Sequence, residues 1–177
     1  HCASGKTRFA GESNSGRMID KSPGGVGGFF IAMNVSTGIY AYVDCATTNA
    51  VSTSGKDEFD YDGKWHHVAM YFNDAGDRKI YLWIDGTPVS SYQSQVAGVG
   101  AIVTDVGNDL YIGDDLTGAT SFDGDIGWIR ISDNDRYTAG GAAFTPPRTM
   151  PADDANTVLL IPMSEGTGTV LDNAAST

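Results

Sequence analysis

The sequence predicts an all-β fold, a two-sheet antiparallel jelly-roll sandwich. Three observations point to it. Apolar residues alternate with period two along several short runs. No segment sustains the 3.6-residue apolar period of an amphipathic helix. Turns rich in Gly, Asn and Asp separate the runs at short spacing, with no βαβ signal between them.

The runs are read in chain order. In 29–35, Phe29, Ile31, Met33 and Val35 share one face. Thr37-Gly38 is a tight hairpin turn. In 39–43, Ile39, Ala41 and Val43 face one way, and Tyr40 and Tyr42 the other. In 65–72 the apolar face is Val68, Met70 and Phe72, and in 79–84 it is Ile80, Leu82 and Ile84. The polar run Asn73-Asp74-Ala75-Gly76-Asp77 turns the chain between those two strands, and Asp85-Gly86 ends the second. Shorter strands are expected at 110–113, 126–132 and 158–162. Residues 10–28, with Pro23-Gly24-Gly25, read as a long surface loop. The stretch 138–156, with Gly140-Gly141 and Pro146-Pro147, reads as a crossing segment.

Composition bounds the function. A chain of 177 residues with 41% hydrophobic and 19% charged residues is expected to form one globular domain. The formal charge of -11 argues against nucleic acid and anionic membrane surfaces as partners, because both require a basic face. No apolar run approaches the length of a membrane span. The start, His1-Cys2-Ala3-Ser4-Gly5, has neither an initiator Met nor an apolar signal core, so a processed chain or one cut from something longer is expected. Cys2 and Cys45 fit no zinc spacing. They permit either one disulfide tying the N-terminus to a strand or two buried free thiols.

From 63 to 132 the motifs become specific. Gly63-Lys64-Trp65-His66-His67-Val68-Ala69 is followed by Ile80-Tyr81-Leu82-Trp83-Ile84-Asp85-Gly86, then Leu110-Tyr111-Ile112-Gly113. Phe122-Asp123-Gly124-Asp125-Ile126-Gly127-Trp128-Ile129-Arg130-Ile131-Ser132 completes the series. In this order they resemble the laminin-G-like, concanavalin A-like lectin/glucanase family, whose pattern is W-H-H-V-A, L-Y-V-D-G, I-G and F-x-G-x-I-D-x-V-R-I-S. The chain departs from the pattern at Gly127, where the family often has Asp. The resemblance implies the concanavalin A/laminin-G type of jelly roll. The flanks Asp135-Arg136-Tyr137-Thr138, Phe144-Thr145-Pro146-Pro147 and Asn156-Thr157-Val158-Leu159-Leu160 resemble the ends of modules in bacteriophage tail and other virion proteins. Glu165-Gly166-Thr167-Gly168-Thr169 resembles the opening of a further module.

The expected organisation is a core over 1–137 with its opening strands missing or permuted, the crossing segment 138–156, and a closing or donated strand and tail over 157–177. An edge left by missing strands is expected to be filled by 157–163, in the same domain or in a neighbouring subunit. Closure in the same domain is favoured, because consecutive elements usually pack nearby.

Glycosidases need two carboxyl groups about the scissile bond. The hydrolase branch of the fold carries them as E-x-D-x-x-E, yet Glu12, Glu58 and Glu165 are the only glutamates and none has that neighbourhood. Asp57-Glu58-Phe59-Asp60 reads as a solvated acidic turn. His66 and His67 alternate across a strand, and the resemblance makes them structural, one packed and one facing out. No nucleophile elbow or phosphate loop is present, so no enzyme is expected.

The aspartates number nineteen of the twenty-two acids. Their clusters, together with calcium sites in laminin-G-like rim loops, suggest a calcium set of Asp114, Asp115 and Asp123. Tyr40, Tyr42, Tyr81 and Trp83 lie opposite the aliphatic faces. They are candidate glycan-stacking residues, with packing or an interface as the plainer reading. The sequon Asn34-Val35-Ser36 carries no functional weight.

The expectation for the whole is a non-enzymatic structural or binding module on a virion or other extracellular assembly. It would contact its own copies or neighbouring virion subunits and bind a cell-surface glycan. The alternative is a calcium-dependent, lectin-like carbohydrate-binding module of a secreted bacterial protein.

Overall fold

The computed structural model describes residues 2–7, 15–56, 62–137, 141–163 and 173–175. The acidic turn expected at 57–60 and the module opening expected at 165–169 lie outside them. Two six-stranded antiparallel sheets face each other. In chain order the strands are β1 (Cys2–Thr7), β2 (Ser15–Asp20), β3 (Phe29–Asn34), β4 (Gly38–Val43), β5 (Ala50–Thr53) and β6 (Trp65–Phe72). There follow β7 (Ile80–Ile84), β8 (Thr87–Pro88), β9 (Ser94–Val96), β10 (Tyr111–Ile112), β11 (Gly124–Ser132) and β12 (Thr157–Ile161). The first sheet runs β12-β11-β1-β6-β7-β8 and the second β10-β2-β3-β4-β5-β9.

The period-two reading explains the core. Ile31, Met33, Ile39, Ala41 and Val43 of the second sheet meet Val68, Met70, Ile80, Leu82 and Ile129 of the first in one buried cluster. Val35 is the exception: it stands in the turn after β3 and is 46% exposed. Burying such side chains contributes roughly 1.5–3 kcal/mol each, which is the main force holding the sheets face to face.

The front of the chain differs from expectation. The stretch 10–28 is not simply a loop, because β2 lies within it. A bulge between Arg17 and Ile19 puts Met18 and Ile19 both into the core, which breaks the alternation that marks the other strands. The opening segment supplies β1, which sits centrally between β11 and β6 and pairs with both. Strand β5 also escaped the sequence reading; its short run Ala50-Val51-Ser52-Thr53 is half polar. Cys45 is a free, buried thiol, so the disulfide reading does not hold.

At the other end, β12 pairs with β11 of its own chain, Ile161 opposite Ile129 and Leu159 opposite Ile131. Residues 173–175 lie along the outer edge of β12. Leu160 donates its N–H to Asn173 Oδ1 at 2.9 Å and accepts from the Ala174 N–H at 2.7 Å. Part of this sheet edge is thereby capped.

The crossing segment is a strap laid over the outer face of the first sheet. Tyr137 and Phe144 stack at 4.5 Å, and they cover Trp83, Trp128 and Ala69. The Arg136 guanidinium anchors the strap's far end, donating to both Asp154 carboxylate oxygens. The strap is registered by the β7–β8 turn, where Asp85 (φ 50°) and Gly86 (φ 77°) both take left-handed backbone, as a two-residue hairpin of this type requires. The Phe144 N–H donates to the Gly86 carbonyl at 2.8 Å. A Cβ at position 86 would overlap the Phe144 carbonyl oxygen.

Gly86→Ala therefore combines left-handed backbone strain with a backbone clash. It is expected to lower unfolding free energy by about 2–4 kcal/mol in urea denaturation. An unchanged midpoint would mean the strap is not seated on this turn.

Candidate functional site

The four candidate stacking residues do not form one surface. Tyr40 and Tyr42 are on the outer face of the second sheet, and Tyr81 and Trp83 on the outer face of the first. Trp83 is 1% exposed, with Tyr137 of the strap 5.2 Å from its ring. Its ring is used for packing and presents no face to a ligand, which corrects the expectation for this residue. Tyr81 is half-buried and donates its hydroxyl to Asp77 Oδ2 at 2.6 Å. That bond, with burial, pushes its phenol up to about 12.

Tyr40 and Tyr42 also pack, though in a richer setting. Tyr42 stacks on Phe30 at 4.8 Å, and Tyr40 meets Phe30 edge-on at 5.0 Å. The Arg17 guanidinium sits 3.3 Å over the Phe30 ring, and its Nε is 3.4 Å from Asp20. Burial lowers the Arg17 pKa and raises that of Asp20, each opposed by the other's charge. The Tyr42 hydroxyl donates to Asp44 and accepts from Asn49, and burial followed by the Asp44 charge pushes it up to about 12. With Phe30 4% and Tyr42 8% exposed, this cluster is closed against itself.

The proposed calcium residues hold their own loop together. Asp114 Oδ1 accepts the Asp115 N–H and Oδ2 accepts the Ser121 hydroxyl. Asp115 Oδ1 accepts the Thr117 N–H and hydroxyl, and it lies near enough to Arg17 to feel its charge. Asp123 is exposed beyond the loop. Among the described residues, no three or more His, Cys, Asp or Glu side chains are grouped to hold one metal ion.

An open groove of about 950 Å³ lies where β6 begins, between β11 and the strap. Trp65 forms one wall and is 53% exposed. Trp128, Pro146, Arg148 and Met150 form other parts of the lining, and Asp85 is the one carboxylate that lines it among the described residues. His66 stands at its edge, with Nδ1 2.8 Å from Asp85 and Nε2 3.0 Å from Asp62. Burial alone would lower the His66 pKa, but the bonds and charges of the two aspartates outweigh it and raise the pKa. Asp62 is held well below the usual carboxylate range by hydrogen bonds from Lys64 first and His66 second.

His67 is the opposite case. It is 4% exposed, packed against Trp128 at 5.5 Å and Phe144 at 5.6 Å, and neither ring nitrogen has a hydrogen-bond partner. Its N–H donates to Asp85 Oδ1 at 2.8 Å. Burial above all, with the Arg130 charge, brings its pKa down to about 4, against the pull of Asp85.

The W-H-H and D-G motifs thus converge on one turn, with His66 and His67 both tied to Asp85 and the strap tied to Gly86. A family model described as the Concanavalin A-like lectin/glucanases superfamily matches residues 7–138. The chain belongs to that superfamily. No curated protein and no solved structure matches the chain. Concanavalin A-like domains of the laminin-G kind are often binding modules. In this member the Trp65 groove is an open concave surface beside an exposed ring, and sequence reasoning did not single it out. Trp65 was visible as a motif residue; what makes its ring available is that the strap covers the neighbouring sheet face and stops short of it.

Two expected outcomes follow from this packing. Trp83→Ala removes a buried ring and is expected to cost about 3–5 kcal/mol of stability, read by chemical denaturation. His67 titrates near 6.5 when unfolded and near 4 when folded, so the unfolded state takes up its proton first as pH falls. Its contribution, up to about 3 kcal/mol, is whole above pH 6.5 and declines between 6.5 and 4. His66, with its raised pKa, acts with the opposite sign and loses its contribution as pH rises. Unfolding free energy measured across this window is expected to fall with acidity in wild type and to be flatter in His67→Phe.

Proposed function

We propose that the chain is a non-enzymatic binding module of a virion or other extracellular assembly, and that it holds a glycan in the Trp65 groove. The observation that carries this reading is the groove itself, open, walled by a half-exposed tryptophan, and lined by one described carboxylate. An exposed indole stacks on the apolar face of a pyranose, while Asp85, His66 and Arg148 supply polar contacts to hydroxyls. Glycoside hydrolysis needs a second carboxyl group, one of the pair held protonated by a raised pKa. Asp62, the nearby carboxylate on His66, is shifted the other way.

The virion part of the reading is supported by the flanking motifs. Their residues have a physical task in common: Tyr137 and Phe144 roof the first sheet, and Arg136, Asp154 and Thr157 lock the strap's far end to β12. Such flanks suit a module built into a longer assembly. Calcium is not part of the proposal, because the Asp114 and Asp115 carboxylates are engaged within their own loop.

The test is a glycan array on the purified chain, followed by calorimetry on the best sugar. Trp65→Ala is expected to weaken binding by at least about tenfold, and EDTA to leave it unchanged. Full binding by the variant would overturn the groove, and release of sugar from a polysaccharide would overturn the non-enzymatic reading. Light scattering that finds only a monomer at every concentration would count against self-assembly.

A further inference from the structure

A second cavity, of about 290 Å³, opens at the other end of β6. Tyr71 and Phe72 wall one side, Arg130 of β11 another, and Asn134, Asp135 and Tyr137 of the following turn close it. It has no lining residue in common with the Trp65 groove. Since β6 is eight residues long, Trp65 and Phe72 stand roughly 24 Å apart along the strand.

The unusual feature here is Arg130. It is 9% exposed, and its Nε is buried with no hydrogen-bond partner. No carboxylate among the described residues forms an ion pair with it. Arg17 also has a buried Nε and Nη1 without a hydrogen bond, but Arg17, Arg78 and Arg136, which are less buried, each have a carboxylate within ion-pair distance, Asp20, Asp74 and Asp154. In a chain with 22 acidic and 11 basic residues, a buried guanidinium left without a carboxylate is out of keeping. A guanidinium removed from water is disfavoured until an anion meets it, and its planar donors match a carboxylate in particular.

The rim decides which anion. Asp133 and Asp135 are exposed around the opening, and Asp74 beside them is engaged by Arg78. This acidic rim repels a compact dianion such as phosphate. It suits a ligand with a single negative charge and several hydroxyls, which donate to the rim carboxylates and to the Asn134 side-chain oxygen. The rings of Tyr71 and Tyr137 add apolar wall, and the volume is at the small end of ligand sites, the size for one sugar ring.

We propose that this cavity binds a sugar acid, its carboxylate paired with Arg130 and its ring hydroxyls held by Asn134, Asp133 and Asp135. The site stands independently of the Trp65 groove.

The experiment is a ¹H–¹⁵N NMR titration of the full chain with sodium glucuronate, glucuronamide, glucose and inorganic phosphate. Glucuronate is expected to shift the Tyr71, Ser132 and Asn134 amides saturably. The uncharged amide and glucose are expected to bind at least about tenfold more weakly. Arg130→Gln is expected to abolish the shifts, Arg130→Lys to weaken them, and Trp65→Ala to leave them unchanged. If Arg130→Gln does not fold, Arg130→Lys and the acid-against-amide comparison on wild type decide the matter. Absence of saturable shifts, or equal binding of acid and amide, overturns the site. Phosphate binding as tightly as glucuronate overturns the sugar-acid assignment and leaves a general oxyanion site. Loss of the shifts in Trp65→Ala overturns the independence of the two cavities.

Discussion

Much of the molecule depends on the Asp85-Gly86 turn. Asp85 accepts the backbone N–H of His67 with one oxygen and meets the ring of His66 with the other, and its own N–H donates to the His67 carbonyl. Gly86 receives the strap through Phe144. One hairpin turn therefore joins the start of β6, the edge of the groove and the cover of the outer sheet face. The left-handed backbone at both positions is what a two-residue turn between twisted strands demands, and at Gly86 the strap leaves no room for a side chain. The groove exists because the strap is fixed here and passes beside Trp65 without covering it.

The two outer faces deal with polar residues differently. On the second sheet, Arg17 lies over Phe30 beside Asp20, so a half-buried cation is met by a ring and a carboxylate. On the first sheet, His67 and Arg130 are both buried; His67 answers by staying neutral, an option a guanidinium lacks.

Alternation along β3, β4, β6 and β7 was legible in the sequence, because each of these strands has one aliphatic face against the core and keeps strict register. Strand β2 was not, since its bulge turns two successive apolar residues inward. The family motifs were legible as spacing, and their order named the fold. Their physical roles were not: Trp83 reads as an outward aromatic until Tyr137 and Phe144 are seen above it, and both come from a segment more than fifty residues later in the chain. The aspartates of the 114–123 region were grouped by their clustering in the sequence, but Asp114 and Asp115 accept local N–H and O–H donors that composition does not reveal, while Asp123 stands exposed.

The sequence by itself determined the alternating strands β3, β4, β6 and β7, the faces they bury and the superfamily, because these depend on neighbours two residues away and on motifs a few residues long. Only the tertiary structure decided which aromatic rings are covered, which remain open and which buried charges lack a partner. Those properties depend on where the strap crosses the sheet, and that is fixed by contacts between residues far apart in the chain. Trp65 and Trp83 illustrate the point: both lie in strand motifs, and the path of the strap alone leaves one ring exposed and the other buried.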